Sequence, residues 1–527
     1  MTFKLLAALA VAAILAWKRY LDYRAVIRSI QNHPGSRSVI SPFGVAAFLF
    51  PDPIPGIYPG SLRTWYYKHR DFEECGVDII SAVSYFPKPE VVLQVADPAA
   101  IKEITTRRSK FPKSVHQYEI LKFFGPNIVA SEDEEWKHFR KTIAPAFSDR
   151  NNRVVWEETM KIVSDLFDKV WAGQKQIVLD NALQVTFPIA LFVLSIAAFG
   201  RHISWEDEHE IPPNHKMTFK DALHIVSTDV VLKIATPEWI VKHFPTKRMK
   251  IVSFAFEELE QYMKEMIHER QTSVEQEERY DLLSSLLQDG PDGLPKLTDQ
   301  ELLGNVFIFL MAGHETAAHT LCLSFGLLAL YPDKQERLYR HIKSVIPDGR
   351  QPRYEEMSLL TESIAVFYET LRLFPPAHSL PKRSVEDTTL VTTDDYGNKV
   401  VVPCPKDATL VLHIPGVHYN PRYWEDPYEF KPERFLGNWP RDAFLPFSSG
   451  ARACLGRRFF EAQGIAILTM LVLKYKIKVK EEPEFAGESF EERKERVLKT
   501  KAGLTLTPVR VPIVLTRRDE GSLERTC

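Results

Sequence analysis

The sequence predicts a mainly α-helical protein with small β-sheets, threaded by one long central helix and ending in a cysteine-bearing loop. Three observations lead there. After about residue 90 apolar residues recur mostly at helical spacing, interrupted by short alternating runs. From Thr298 to about Leu330 the helical pattern is unbroken, and Thr298 with Glu301 three residues on forms a capping box. At 1.5 Å per residue such a helix is roughly 50 Å long, enough to cross a domain. Finally, Phe447-Ser448-Ser449-Gly450-Ala451-Arg452-Ala453-Cys454-Leu455-Gly456 is a glycine-bracketed turn that presents a cysteine just before an apolar helix running to about Tyr475.

Composition limits the function classes. The chain has 527 residues, and no glycine/serine linker or composition break divides it after about residue 60. One large catalytic domain over residues 61–515 with a charged tail at 516–527 is therefore expected. With 67 basic and 69 acidic residues the formal charge is −2, which gives no electrostatic footprint for nucleic acid. The five cysteines are scattered and odd in number, so they read as reduced thiols facing a cytosol.

At the N-terminus, Phe3 to Trp17 is apolar except for Lys4, and Lys18, Arg19, Arg24 and Arg28 follow. Residues 1–28 are expected to be a single-pass membrane anchor, with the following domain cytosolic by the positive-inside rule. The run is shorter than the ~20 residues of a full span, so a cleaved secretory signal is the competing reading. The reduced-looking cysteines favour the anchor. Residues 29–60 form a proline-rich hinge in which a second apolar run, Val39 to Phe50, leads into Pro51-Asp52-Pro53-Ile54-Pro55-Gly56. That run either dips into lipid or packs on the domain as a surface loop.

In chain order, Val91–Ala96 reads as strand and Pro98 to about Arg107 as helix. Phe111–Phe124 is aromatic-rich and irregular, and Glu132–Phe147 is an acidic-started helix with Trp136 and Arg140 on one face. Helices follow over Asn151–Trp171, Asn181–Phe199, Thr218–Ile234 and Lys247–Arg270, the last two separated by a stretch around Pro237 and Pro245. Thr272–Glu278 is a charged loop. After the long helix, Glu369 and Arg372 share one face of a helix that stops at Pro375-Pro376. Thr389–Thr392, Lys399–Val402 and Thr409–His413 alternate as strands, and Lys476–Lys480 and Leu504–Thr507 are weaker ones.

Cys454 has the setting of a metal-binding thiolate, because exposed backbone N–H groups and the positive end of a helix dipole favour the ionised form. Gly450 and Gly456 would let the backbone turn tightly and approach a flat ring, and Arg452 could hold a carboxylate. These features point to haem iron, against the bland alternative of a buried cysteine at a turn. In the long helix, Ala312-Gly313-His314-Glu315-Thr316 offers two small residues and a hydroxyl able to bond one turn back, opening a groove for dioxygen or water. Glu315 could feed it protons from solvent. Helix packing around a small-residue notch is the plain alternative. His314-Glu315 with His319 suggests a zinc-protease motif, but an i, i+5 spacing places the rings ~140° apart on a helix.

The cysteine turn matches F-x-x-G-x-R-x-C-x-G and is similar to the signature of the cytochrome P450 family, haem-thiolate monooxygenases. The chain resembles microsomal, fungal members, and the resemblance spans roughly residues 50–515. It implies the P450 fold, haem b ligated by the thiolate of Cys454, Phe447 packed beside that thiolate and Arg452 on a propionate. The 312–316 segment resembles the oxygen-activation motif, with Ala317 where many members carry a second hydroxyl. By the same resemblance Trp136 and Arg140 hold a propionate. Glu369 and Arg372, with Arg434 from Pro432-Glu433-Arg434-Phe435, form a buried structural ion triad. Arg383 is the further propionate cation, with Lys382 and His378 as alternatives because the spacing after Pro376 is one residue long. The family implies insertion of one atom of dioxygen into a lipophilic molecule such as a terpenoid, sterol or fatty chain. Substrate-lining candidates are Phe111–Phe124, Thr218–Lys250, Phe309, Pro376–Leu380 and the turn at Gly503.

About 70 residues follow Cys454, too few for a flavin or nicotinamide domain, so electrons are expected from a separate NADPH-cytochrome P450 reductase docking near Arg457 and Arg458. Cytochrome b5 is a second candidate donor, and the endoplasmic reticulum membrane the expected site. A haem-thiolate isomerase or dehydratase and a non-enzymatic haem sensor are the rival readings, both disfavoured by the intact Glu315-Thr316 pair.

Overall fold

The computed structural model describes residues 2–42, 52–60, 62–201, 203–206, 211–236, 239, 243, 246–272, 281–287 and 296–518. Most of the Val39–Phe50 run, the loop after Thr272, the stretch around Pro237 and Pro245 and the end of the charged tail lie outside these residues. The architecture is mainly helical with small sheets, as the hydrophobic spacing predicts, and divides into two compact units.

The first unit comprises Met1–Ser114, Ala377–Glu429 and Pro440–Cys454. Its core is a five-stranded sheet in the order Gly35–Ile40, Ile79–Phe86, Glu90–Val95, Thr409–His413, Ser379–Arg383. The inner strand Ile79–Phe86, second in that order, is buried at six successive positions, so it shows no period-two alternation and escapes a search for alternating strands. Gly35–Ile40 pairs parallel with it, and so the segment expected to be a hinge contributes an edge strand to the sheet. The N-terminal helix runs Thr2–Ser29, continuing well past the apolar residues. Its C-terminal half meets the first turn of the sheet, where Arg19 donates to the Pro87 carbonyl at 2.7 Å and Tyr23 meets Tyr85 edge-on. Helix Pro98–Thr106 begins where predicted because Asp97 caps the N–H groups of Ala99 and Ala100, with proline at the first helical position.

The second unit comprises Val115–Pro376, Phe430–Trp439 and Leu455–Cys527. The helix Asp299–Leu330 carries the predicted capping box in full. It packs against Leu183–Phe199, Thr361–Leu373 and Arg457–Lys474. Around it the apolar core gathers Phe124, Leu194, Val226, Phe256, Val306 and Phe307, among others. Two small sheets complete the unit, one joining Gln176–Leu179, Ile513–Arg517 and Tyr475–Val479, the other a hairpin of Thr500–Ala502 and Leu506–Pro508.

Candidate active site

In the first unit the loop from Phe447 to Cys454 folds back on itself, the Cys454 N–H donating to the Phe447 carbonyl at 2.9 Å. Gly450 takes φ +70°, and a Cβ there would lie 2.5 Å from the Thr105 carbonyl oxygen, so glycine is required on both counts. The loop is thereby held against helix Pro98–Thr106, leaving Cys454 exposed and Phe447 half-buried. Gly456 differs from the sequence expectation. Its φ of −78° suits any residue, and a Cβ would meet only the Phe147 ring at 3.7 Å, an ordinary contact. It caps the helix Arg457–Lys474 without needing special backbone freedom.

In the second unit the long helix is buried nearly throughout, yet Phe309, Ala312, Gly313 and Thr316 are exposed or half-buried. Their spacing, i, i+3, i+4 and i+7, makes one uncovered stripe in the middle of a core helix. Gly313 serves the neighbouring helix as well as the stripe, since a Cβ there would lie 3.0 Å from a Leu194 methyl. The Thr316 hydroxyl donates to the Ala312 carbonyl at 2.9 Å as expected. The helix nonetheless stays α without interruption, so this bond adds to the turn and does not break it.

Glu315 faces elsewhere. One residue on a helix is ~100° of rotation, and Glu315 turns into the interior with 6 % exposure, so it has no direct path to solvent. Burial pushes its carboxyl up to about 7 against the opposing hydrogen bonds of Ser227 and Thr505. Burial also brings His314 down to about 4 and His319 down to about 3, leaving both rings neutral. The His314 Nδ1–H donates to the Leu310 carbonyl at 2.6 Å, and Phe187 packs edge-on at 4.8 Å. Among the described residues no group of three or more His, Cys, Asp and Glu gathers as a metal site.

Glu369, Arg372 and Arg434 come together. Arg372 grips Glu369 with two bonds of 2.7 and 2.8 Å, and Arg434 Nε donates to the same carboxylate at 3.1 Å. The Lys431 N–H adds a bond of 3.0 Å. Glu369 and Arg372 are wholly buried, the Arg434 side chain nearly so. Trp136 is buried and Arg140 half-buried, one turn apart on Asp133–Ile143. Strand alternation turns Arg383 outward and exposed, and of the three candidate cations it is Lys382 that is buried. Arg457 is committed within its own unit, to Glu461 at 2.7 Å and to the Tyr368 hydroxyl at 3.1 Å, whereas the Arg458 side chain is 73 % exposed.

The family description "Cytochrome P450" matches residues 61–504. The chain belongs to the cytochrome P450 family. It is 53 % identical to cytochrome P450 monooxygenase 124 of Postia placenta over 96 % of this chain and 98 % of the relative. Cytochrome P450 monooxygenase ORF6 of Penicillium roqueforti is 29 % identical over 78 % of each chain. The cytochrome P450DA heme domain shares the fold at a TM-score of 0.72 and 21 % identity, covering 92 % of this chain and 98 % of that one.

This P450 is thus an oxidoreductase, a haem-thiolate monooxygenase acting on a lipophilic substrate with haem b as its cofactor. Its residues fit that group. Taken each by itself, the signature loop presents an exposed thiol, and the uncovered stripe of the long helix offers, beside Phe309, two small residues and one hydroxyl, a face suited to a flat macrocycle. Sequence reasoning missed the surroundings of Glu315. Ser227, His319 and Thr505 collect there, and Thr505 lies 190 positions away in the chain with no spacing signal to connect them.

Proposed function

We propose that the Cys454 thiolate would hold haem b and that Thr316 and Glu315 manage the protons of oxygen activation. Haem b with a thiolate ligand supplies the chemistry that favours O–O cleavage. The observation that carries the reading is the Thr316 hydroxyl on the one uncovered stripe of a buried helix, next in sequence to a carboxyl tuned to about 7. A group poised near neutrality can both give and regain a proton at physiological pH. With its hydrogen donated to the Ala312 carbonyl, the hydroxyl is oriented to accept a hydrogen bond at Oγ1 and so to hold a proton donor on the stripe. Arg452, Trp136 and Arg140 serve the propionates, with Lys382 in place of Arg383 as the fourth group because a buried cation fits an internal carboxylate better than an exposed one.

Thr316→Ala is expected to load haem normally, since a hydroxyl gives way to a group of similar size. NADPH and dioxygen should still be consumed, with two electrons and two protons leaving as hydrogen peroxide. Product per NADPH should fall at least ~10-fold, the scale lost with a positioned proton donor. The measurement is that ratio, with peroxide quantified alongside; an unchanged ratio makes Thr316 a packing residue.

The substrate we infer is a terpenoid, sterol or fatty chain, in keeping with the apolar and aromatic surroundings of the stripe, where Phe147 and Phe309 lie with centroids 6.1 Å apart. A Streptomyces relative, 27 % identical, is named cyclooctat-9-en-7-ol 5-monooxygenase. A screen for substrate-induced shifts of the haem spectrum, followed by reductase-dependent NADPH consumption, tests this reading. Haem binding with no NADPH consumption for any spectrum-shifting ligand would favour the isomerase or sensor.

A P450 monooxygenase draws on a redox partner, here a separate NADPH-cytochrome P450 reductase, with cytochrome b5 as an auxiliary donor. Arg458, 73 % exposed although paired with Glu461 at 3.3 Å, is the cation we assign to its docking. The N-terminal helix is proposed as the anchor in the endoplasmic reticulum membrane, with the catalytic domain cytosolic. Leu5, Leu6, Ile14 and Trp17 are each about 60 % exposed on it or more. Among the described residues Asp299–Leu330 is long and apolar enough to cross a membrane, but its most apolar stretch is mostly buried in the core. Deleting residues 1–28 is expected to move most of the enzyme from the membrane pellet to the soluble fraction, with residual association released by detergent. Pelleting equal to full length would place the anchor elsewhere.

A further inference from the structure

Glu315 must exchange its proton with water to act more than once, yet its side chain is buried and faces away from the Thr316 stripe. Two hydroxyls meet the carboxyl, that of Ser227, itself buried, and that of the less buried Thr505. The Thr505 hydroxyl donates to Glu315 Oε2 at 3.4 Å and lies 3.5 Å from His319 Nδ1. Thr505 itself is half-buried, in the turn of the hairpin Thr500–Ala502 and Leu506–Pro508, directly after the exposed Gly503 and Leu504. The hydroxyl therefore has a carboxylate on its inner side and solvent-facing backbone on its outer side.

We propose that the Thr505 hydroxyl relays protons between solvent and Glu315, with His319 holding the hydroxyl in place through both states of the carboxyl. This rests on the proton-handling role assigned to Glu315 above. When Glu315 is ionised, the Thr505 O–H donates to Oε2. When Glu315 is protonated, its own O–H donates back to Thr505 Oγ1, and the Thr505 hydrogen turns to His319 Nδ1. A hydroxyl, being donor and acceptor at once, serves both states; a methyl or a carbonyl serves neither. In the transfer itself, Thr505 Oγ1 passes its proton to Glu315 Oε2 and takes one from a hydronium ion at the surface. Only O–H bonds form and break, and the hydroxyl ends as it began. The titratable groups around Glu315 are His319 and His314 on its own helix and His224 on Phe219–Ala235, and burial lowers the pKa of all three. They stay neutral near pH 7, so a charge change there belongs to the carboxyl.

The test compares Thr505→Val, Thr505→Ala and Thr505→Ser in the full-length, haem-loaded enzyme, with haem loading checked by the carbon monoxide spectrum. The first readout is the infrared C=O stretch of the protonated Glu315 carboxyl, identified by its loss in Glu315→Gln. Its shift after transfer from H2O to D2O reports proton exchange. Thr505→Val and Thr505→Ala are expected to slow that exchange at least ~10-fold and to raise the pH at which the band disappears, because a hydrogen bond to the carboxylate is lost. Thr505→Ser should behave as wild type. The second readout is product per NADPH, which should fall with rising peroxide in the two hydroxyl-free variants and recover in serine. Wild-type exchange in Val and Ala overturns the relay, as does a serine variant impaired like valine, which would make the role one of packing. Should Thr316→Ala and Glu315→Gln retain wild-type coupling, the proton assignment of the proposed function fails. The exchange measurement still reads the relay separately.

Discussion

Cys454→Ala is expected to give a protein whose reduced, carbon monoxide-bound spectrum has lost its thiolate signature and whose NADPH-dependent product formation is undetectable. The structure makes the expectation sharp because no other described cysteine can substitute. Cys322 and Cys404 are buried and Cys75 is half-buried. Burial pushes all three thiols upward, Cys404 to about 11, so each remains a neutral thiol at pH 7. Among the described cysteines only Cys454 is exposed, at the end of a loop whose Gly450 conformation and close contact with Thr105 leave little freedom to move another donor into its place. The measurement is the carbon monoxide difference spectrum with haem content per chain. A variant keeping the thiolate band would show that the ligand had been misassigned.

The second large effect is expected at the ion triad, and the geometry ranks its members. Glu369→Ala removes the one carboxylate shared by Arg372, Arg434 and the Lys431 N–H, leaving the Arg372 guanidinium at 0 % exposure with its two bonds to that carboxylate gone. Breaking a buried pair in this way costs about 3–5 kcal/mol, set against a typical total stability of ~5–15 kcal/mol. Glu369→Ala should therefore be recovered in low yield, depleted of haem, and should unfold at markedly lower urea. Arg434→Ala should be damaging but milder. Its side chain keeps 11 % exposure, and Arg372 retains its two-pronged hold on Glu369 without it. Yield, haem content and urea midpoint for the two variants check the ranking; equal or wild-type values for Glu369→Ala would show that the triad does not hold the fold.

The sequence by itself determined whatever depends on local spacing. The helix Asp299–Leu330 was legible from its capping box and unbroken period, the stop of Thr361–Leu373 from Pro375, and the cysteine turn from Gly450 and Cys454. The triad was legible only by family resemblance, since Arg434 lies 65 positions from Glu369. Tertiary structure decided what depends on burial and on distant partners. A strand covered on both faces, as Ile79–Phe86 is, carries no alternation to read. Gly35–Ile40 became a strand because a neighbouring strand offered its unpaired backbone groups, which no property of residues 35–40 announces. Glu315 and Thr316 are adjacent in the chain, yet the helix turns one inward and leaves the other on the uncovered stripe. Desolvation of Glu315, together with a hydroxyl brought from residue 505, then sets the carboxyl near 7. Local pattern specifies which groups are present. Packing removes some of them from water, and it is that removal, invisible in a linear sequence, that sets their protonation and their partners.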